Sequence, residues 1–583
     1  MQSASSRFVV AFNGEIYNHI ALRHAVDASG CGQAWRGHSD TETLLAGFEL
    51  WGFEATLKKA NGMFAVALWD RQNRLLHLAR DRMGEKPLYY GWQNGVFLFG
   101  SELRALKTHP GFIASIDRDA LALQLRHNYI PAPFSIYKNI FKLPAGSTIT
   151  INSARVGSKP IAYWSLAEVA RRGLATPFKG SPAELTGALD MQLRDAVSAQ
   201  LMSDVPVGAF LSGGIDSSLV VALMQAQSNM PVKTFTIGFS ESGYDEAPYA
   251  KAVAKHLGTE HTELYVSPQQ ALEVIPKLPR LYDEPFSDAS QIPTFLLAQM
   301  TRQHVTVALS GDGGDELFGG YSRYRLASSI WNKTERMPTV VKQIFVQGMQ
   351  CLSSAQWDAL AQPFMRLLPR SFKHKSVGDR MHKLAALLGH SDPHWLYRDL
   401  VSHWKDPSLI VLHSTEPPIA MTLPGLSPSR YPFERHMMYL DAMSYLPDDI
   451  LVKVDRAAMG VSLETRVPLL SHHLVEFSWQ LPLPVLIREG QGKWILKKVL
   501  ERYVPKPLFE RPKKGFGVPL AQWLRGPLRD WAEAMLSTER LRREGFFDAA
   551  PIRKKWDEHL AGSRNWQSDL WTVLMFQAWW AEQ

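Results

Sequence analysis

Apolar residues recur along this chain in two rhythms, and the change between them divides it. Up to about residue 165 they form short runs: Phe8–Phe12, Met63–Asp70, Arg74–Arg80, Leu88–Trp92, Val96–Gly100 and Ser147–Ile151. Turn residues separate them at Asp70–Asn73 and Gln93–Gly95. Strand-length runs at this spacing predict a layered, β-rich unit, with Tyr163-Trp164 closing it. One helix is expected to run from His38-Ser39-Asp40-Thr41-Glu42 to about Trp51, capped by Ser39 or Asp40. Asn13-Gly14 reads as a turn signal, flanked by Glu15 and by amide groups that suit a polar ligand.

From Ser181 the rhythm changes. Ser181 and Glu184 have capping-box spacing with Pro182 in the first helical position, which predicts a helix over 182–203. An apolar run at Pro206–Leu211 follows, then a helix over 216–228, a strand Val232–Phe239, a helix over 246–257 and a strand His261–Val266. Helices over 268–277 and 291–303 lead to a strand Val305–Ser310. Strands separated by helix-length segments imply parallel βαβ units in an open α/β sheet. Ligands of such sheets bind beyond the carboxyl ends of the strands. That places Ser212–Ser218, Ile237-Gly238 and Ser310–Glu316 around one crevice. The remainder from about 321 reads as mostly helical, and 165–180 reads as a linker.

The 583-residue length exceeds what one core supports, so at least two domains are expected. A hydrophobic content of 45% with 21% charge fits a globular chain rather than a disordered one. No apolar segment reaches the roughly 18 residues of a membrane span, and no signal peptide is evident. Two cysteines, Cys31 and Cys351, are too few for a disulfide framework or a zinc site, which points to a reducing cytoplasm. Cys31 reads as structural or incidental and Cys351 as a small buried apolar residue. The net charge of +8 is spread along the chain, with clusters at Arg366–Lys375, Lys497–Lys514 and Arg540–Arg543. No nucleic-acid motif accompanies it, so anionic small molecules are the expected partners rather than nucleic acid.

Three stretches carry candidate chemistry. Leu211-Ser212-Gly213-Gly214-Ile215-Asp216-Ser217-Ser218 joins a strand to a helix and aims backbone N–H groups and a helix dipole at one point, a seat for phosphate. It lacks the Gly-Lys-Ser/Thr ending of a Walker A loop. The purely structural alternative is a turn with Asp216 or Ser217 capping the helix. Ser310-Gly311-Asp312-Gly313-Gly314-Asp315-Glu316 crowds three acids into five residues, which repel unless a cation sits among them; oxygen ligands of this kind suit Mg²⁺. Lys453 and Arg456, ahead of Ser462–Pro468, could neutralise a polyphosphate or merely pair on a helix surface.

Together these stretches resemble the glutamine-hydrolysing asparagine synthetases. The resemblance also rests on Asn13–Asn18, His38–Glu42, Ala79-Arg80-Asp81-Arg82, Glu85–Tyr90, Val454–Pro468 and Arg511–Pro519, and it covers nearly the whole chain. It implies an Ntn-hydrolase-like amidotransferase domain over 1–165, a linker over 166–180, and an ATP-pyrophosphatase-type synthetase domain with a helical extension over 181–583. It implies an enzyme that activates the side-chain carboxylate of aspartate with ATP and Mg²⁺ as β-aspartyl-AMP. Ammonia from glutamine then travels through an internal passage and displaces AMP. Carried over by motif, Ser212, Gly213, Gly214, Asp216, Ser217 and Ser218 hold pyrophosphate, and Leu211, Ile237, Ser310 and Gly311 contact the nucleotide. Asp312 stands where the family has an acid important for the adenylate, Asp216 and Asp315 are candidate Mg²⁺ ligands, and Arg456 with Lys453 faces the phosphates. Asn13 and Gly14 would form an oxyanion hole, and Glu15 and Asp40 would bind the glutamine amino group and backbone. Family members often dimerise, and some relatives amidate other carboxylates such as sugar acids.

One departure stands out. The family's glutaminase nucleophile is a cysteine directly after the initiator methionine, whereas Met1 here is followed by Gln2. Cys31 lies inside the chain, without a free amine, and does not replace it. The expectation is that this polypeptide forms amide from free ammonia and does not hydrolyse glutamine. A start assigned too far downstream is favoured over true loss, because loss of the opening strand would leave a sheet edge unpaired.

Overall fold

The computed structural model describes the chain except residues 31–34, 153–157, 240–244, 353, 362–376, 391, 423–430 and 512–516. Cys31, the basic run 366–375 and most of the basic stretch after Arg511 therefore lie outside the described residues. Among the described residues no helix is long and apolar enough to cross a membrane. The protein is of mixed α/β class.

The N-terminal part is layered. Five antiparallel strands lie in the order Phe8–Ile16, Gly62–Asp70, Leu75–Arg80, Ser147–Ile151, Ile161–Ala162, and a second sheet orders Val96–Gly100, Tyr89–Gln93, Ile140–Lys142. Strand Gly62–Asp70 shows why they stack. Phe64, Val66 and Leu68 pack with Leu44 and Phe48 of helix Asp40–Trp51, while Ala65 and Ala67 face Leu78, Tyr90 and Ile149. With period-two alternation and both faces apolar, the strand must be covered on both sides. The closing strand is Ile161–Ala162 rather than Tyr163-Trp164.

Asn13-Gly14 lies within strand Phe8–Ile16, not in a turn. Gly14 pairs with Phe64, and an added Cβ would run into the Met63 carbonyl, so glycine is there for close approach of two strands. Phe8–Ile16 is an edge of its sheet, and Met1 folds back on it: the Val10 amide donates to the Met1 carbonyl at 2.8 Å.

The second sheet system is all parallel, in the order Glu260–Val266, Lys233–Phe239, Val207–Phe210, Val307–Leu309, Glu464–Arg466. The chain enters at the centre with Val207–Phe210, winds outward to one side, then crosses to the other with Val307–Leu309. The switch point therefore falls between those two strands, and a crevice opens beyond their carboxyl ends. Three-residue Glu464–Arg466 completes the sheet from within the helical region. Both hydrogen bonds of the Ser181–Glu184 capping box are present on helix Pro182–Leu201.

Two other segments differ from expectation. Residues 165–180 contain a helix, Leu166–Ala175, capped by Ser165, because Leu166, Val169, Ala170 and Gly173 share a buried stripe. The helix expected over 268–277 breaks into Pro268–Leu272 and a tight turn Ile275–Lys277, where Pro276 denies the helix an N–H. Cys351 is exposed, not buried. It follows helix Thr339–Gln350, whose Val340, Ile344 and Phe345 are themselves exposed.

Buried ion pairs tie the N-terminal layers to the parallel-sheet region. Asp81 accepts backbone N–H bonds from Phe64, Met83, Glu85 and Lys86, which fixes the loop that carries Lys86. Lys86 Nζ meets Asp455 Oδ1 at 2.7 Å, and Lys142 pairs with Glu284. A buried pair broken on one side leaves an uncompensated charge, costing about 3–5 kcal/mol. Lys86→Ala is therefore expected to lower stability by about 3–5 kcal/mol, read from the urea unfolding midpoint. Removing the exposed Lys58–Glu54 pair (2.7 Å) should cost under about 1 kcal/mol.

Candidate functional site

Glycines set the shape of the crevice. The chain leaves strand Val207–Phe210 through Leu211–Gly213, with Gly213 at a φ of +71° that side chains resist. Helix Ile215–Ala226 starts at once with Gly214 as its N-cap, so neither Asp216 nor Ser217 caps it. Ser217 Oγ instead accepts the Ser212 amide at 3.2 Å and lies 2.9 Å from Ser212 Oγ, drawing the loop into a ring around the helix N-terminus. Across the crevice, an added Cβ on Gly311 would stand 2.7 Å from the Ser217 nitrogen, and one on Gly314 2.6 Å from Asp216 Oδ1. Only glycine lets the two loops approach this closely.

The crevice holds a cavity of about 1320 Å³. Leu211, Ser212, Gly214, Asp216, Ser217, Ile237, Ser310, Gly311, Asp312, Asp315 and Lys453 line it. Gly213 and Ser218 do not; Ser218 is fully buried behind the loop.

The three acids of Ser310–Glu316 part company. Asp312 accepts the Ser310 hydroxyl at 2.5 Å; burial pushes its carboxyl up, while that bond and Lys453 pull it back. Glu316 accepts the Tyr321 hydroxyl at 2.6 Å, and burial with the charge of Asp315 pushes it up to about 7. Asp315 meets Lys493 Nζ at 2.6 Å, and the same ammonium pairs with Asp216. The cation the acids require is thus a lysine distant in sequence. Burial alone would lower the Lys493 pKa, but Asp216 and Asp315 overcome it and raise it. Nothing in the run Gly490-Gln491-Gly492-Lys493 singled this lysine out, although a lone lysine after glycines is a pattern that could have.

Lys453 and Arg456 separate. Lys453 reaches the crevice and holds Asp288 Oδ2 at 2.8 Å. Arg456, expected to face the phosphates, points the other way: Nη2 donates to the Ser101 carbonyl at 2.8 Å, and its guanidinium lies near Glu102 and Asp283. The two stand three residues apart on helix Leu451–Met459, yet their long side chains reach to different neighbours. Arg511 does reach the crevice, donating to the Ser212 carbonyl at 2.9 Å and pairing with Glu246 at 3.0 Å.

In the N-terminal layers, Asn13 Nδ2 donates to Ser101 Oγ at 3.0 Å, and Asp40 accepts the Ile16 amide at 3.0 Å and the Thr41 amide at 2.6 Å. Burial and the charge of Asp40 push Glu15 up to about 7 against the pull of Arg466, 3.6 Å away on the edge of the parallel sheet. Asn13, Gly14, Glu15 and Asp40 thus gather at the seam between the two sheet systems.

Comparison with known proteins gives two family matches: asparagine synthase over residues 188–581 and glutamine amidotransferase domain over residues 1–164. The chain is 31% identical over 572 residues to asparagine synthetase (glutamine-hydrolyzing) 1 of Bacillus subtilis, covering 98% of this chain and 85% of that one. It is 32% identical to a putative asparagine synthetase (glutamine-hydrolyzing) of Mycobacterium tuberculosis, covering 99% and 84%. It is also 25% identical to the amidase chyE of Penicillium rubens, covering 92% and 80%.

Glu316 supplies a pH test. Its folded-state pKa, about 7, lies above the ordinary 4.5, so between these values the folded protein holds a proton the unfolded chain has released. Stability therefore falls as pH rises through that window. Glu316→Gln is expected to flatten this fall, measured as urea midpoints at pH 5 and pH 7.5 for variant against parent.

Proposed function

Because the chain belongs to the asparagine synthase family, we propose that its crevice adenylates the side-chain carboxylate of L-aspartate and that ammonia converts the adenylate to L-asparagine. The protein is a carbon–nitrogen ligase of the glutamine-hydrolysing asparagine synthetase type, with a glutamine amidotransferase region. The observation that carries the proposal is the contact of Ser212–Ser218 with Ser310–Asp315 at the switch point of the parallel sheet.

A carboxylate is a poor electrophile until it bears a good leaving group. A carboxylate oxygen attacks the α-phosphorus of ATP, the bond to the β-phosphate oxygen breaks, and pyrophosphate departs. Ammonia then attacks the acyl carbon, loses a proton, and AMP leaves with the electrons of the C–O bond. The first step moves charge onto pyrophosphate, so donors and cations fixed in advance lower its barrier. Ser212, Gly214, Ser217 and the helix N-terminus are the proposed pyrophosphate seat, with Lys493 and Arg511 beside it and Gly213 and Ser218, which do not line the cavity, shaping the loop. Leu211, Ile237, Ser310 and Gly311 are assigned to the nucleotide, and Asp312 to the adenylate.

Asp216 and Asp315, drawn to one ammonium, match the one or two carboxylates that Mg²⁺ takes alongside phosphate oxygens. Among the described residues no three His, Cys, Asp or Glu side chains are grouped to hold a metal, which suits an ion carried in by the triphosphate. Bound there, Mg²⁺ would neutralise the departing pyrophosphate. We assign residues 1–165 to the amidotransferase domain, with Asn13 and Gly14 at the oxyanion and Glu15 and Asp40 at the glutamine amino group, and 181–583 to the synthetase domain.

The test is ATP–pyrophosphate exchange, expected to depend on aspartate. With ammonium added, AMP rather than ADP should form in step with asparagine. Gly311→Ala should cut exchange about 100-fold or more by forcing the loops apart. Release of ADP, or exchange indifferent to aspartate, would remove the proposal.

A further inference from the structure

Two carboxylates in the crevice share one ammonium. Asp315 Oδ1 stands 2.6 Å from Lys493 Nζ, and Asp216 pairs with the same nitrogen. The acids come from separate loops, Asp216 from the first turn of helix Ile215–Ala226 and Asp315 from the first turn of Gly314–Phe318. Only 7% of the lysine side chain is exposed, against 17% and 18% for its partners. Enclosed to this degree, neither sign of charge can be left uncompensated.

The lysine is held along its length and left to move at its tip. Its amide donates to the Phe318 carbonyl at 3.1 Å, and helix Trp494–Leu500 starts directly after it. Arg488 and Gln491 exchange two backbone hydrogen bonds, at 2.9 and 2.8 Å, which tie off the loop before it. The stem passes so close to Gly320 that a Cβ there would stand 2.2 Å from the lysine Cε. What lies past Cε is the ammonium alone, which a turn about the last side-chain bonds redirects. It faces the proposed pyrophosphate seat. Asp216 lies between Gly214, the N-cap of its helix, and Ser217, whose hydroxyl is 2.9 Å from that of Ser212. The backbone N–H groups of that turn favour an anion, whose oxygens would give the ammonium other partners.

Mg²⁺ takes one or two carboxylates together with phosphate oxygens and water. A divalent ion and an ammonium repel, so the two acids serve one or the other. We propose that Lys493 keeps Asp216 and Asp315 closed to free divalent cations, and gives them up only when a polyphosphate offers its ammonium other oxygens. The protein then takes metal and polyphosphate together, never the metal first. Between turnovers the same ammonium keeps the two loops drawn together without a resident metal. The inference rests on the reading of Asp216 and Asp315 as the metal carboxylates, and adds what controls access to them.

The experiment is Mn²⁺ binding, followed by the electron paramagnetic resonance signal of the free ion, with no acceptor acid and no turnover. Lys493→Met keeps an unbranched stem and removes the charge. Without nucleotide it should bind Mn²⁺ at least about 10-fold more tightly than the parent, because two uncompensated carboxylates attract a divalent ion strongly. Lys493→Arg keeps a cation in place and should bind as weakly as the parent. Adding Asp315→Asn to Lys493→Met should remove the gain. Thermal unfolding supplies a second readout. Millimolar Mg²⁺, against NaCl of equal ionic strength, should raise the Tm of Lys493→Met and leave that of the parent unmoved, whereas Mg²⁺ with tripolyphosphate should raise the parent's. Should Lys493→Met be unfolded without metal, Mg²⁺ must refold it, and failure to do so overturns the inference. Equal Mn²⁺ affinity in parent and Lys493→Met overturns it too, as does a parent that answers to Mg²⁺ alone as it does with tripolyphosphate. None of these measurements uses aspartate, so exchange that fails with aspartate while the metal results hold removes the ligase reading and leaves this inference.

Discussion

The crevice depends on how closely two backbones come together. Gly311 and Gly314 admit the Ser217 nitrogen and the Asp216 carboxylate where any Cβ would intrude, and that contact brings Asp216 and Asp315 to one ammonium. Two carboxylates about 4 Å apart near a protein surface repel by on the order of 4 kcal/mol, so the arrangement needs a cation as much as it needs the glycines. Lys493 supplies it at a cost of its own. Its φ of +57° is a left-handed conformation that an ordinary residue adopts only when its surroundings impose it. A Cβ on Gly320 would collide with Asp315 and Lys493, and one on Gly492 with the Gly319 carbonyl. Gly320 is therefore a glycine because of this lysine and its Asp315 partner.

Helix Leu451–Met459 serves two masters. Lys453 faces the crevice, Asp455 holds Lys86, and Arg456 reaches Ser101, Glu102 and Asp283. Residues set three apart on a helix can belong to different sites. The N-terminal layers therefore bear on the element that carries a crevice lysine, and the seam is bound by charges already desolvated. Such pairs add little net stability, yet each is costly to break, which favours one fixed relation between the two sheet systems.

Much of this was legible in the amino-acid order. The strand–helix alternation from Ser181 and the capping box follow from patterns within a few residues of each other, and the parallel sheet which that alternation implies brings Ser212–Ser218 and Ser310–Asp315 to one crevice. What escaped depends on residues far apart. Lys493 is an ordinary lysine until its partners arrive from two loops. Arg456 carries no mark of which way its helix will be turned. Glu464–Arg466 is too short and too polar to announce a strand, and exists because Val307–Leu309 offers it an edge. Gly14 was misleading for the opposite reason: Asn-Gly favours a turn locally, and the facing Met63–Phe64 backbone overrides that preference.

Strand Glu464–Arg466 has a consequence for how the molecule is made. The Ser310 amide, at the head of the acidic loop, donates to the Arg466 carbonyl at 2.8 Å. Those partners are separated by about 150 residues, a closure that slows folding because chain entropy is lost before the contact rewards it. During synthesis the central strands and the first phosphate-facing loop emerge early, while Val307–Leu309 waits with a bare edge. That edge is a template for pairing with other chains until its own strand arrives. A polypeptide cut short before residue 464 would thus retain most of the recognisable motifs and still carry an open, association-prone sheet.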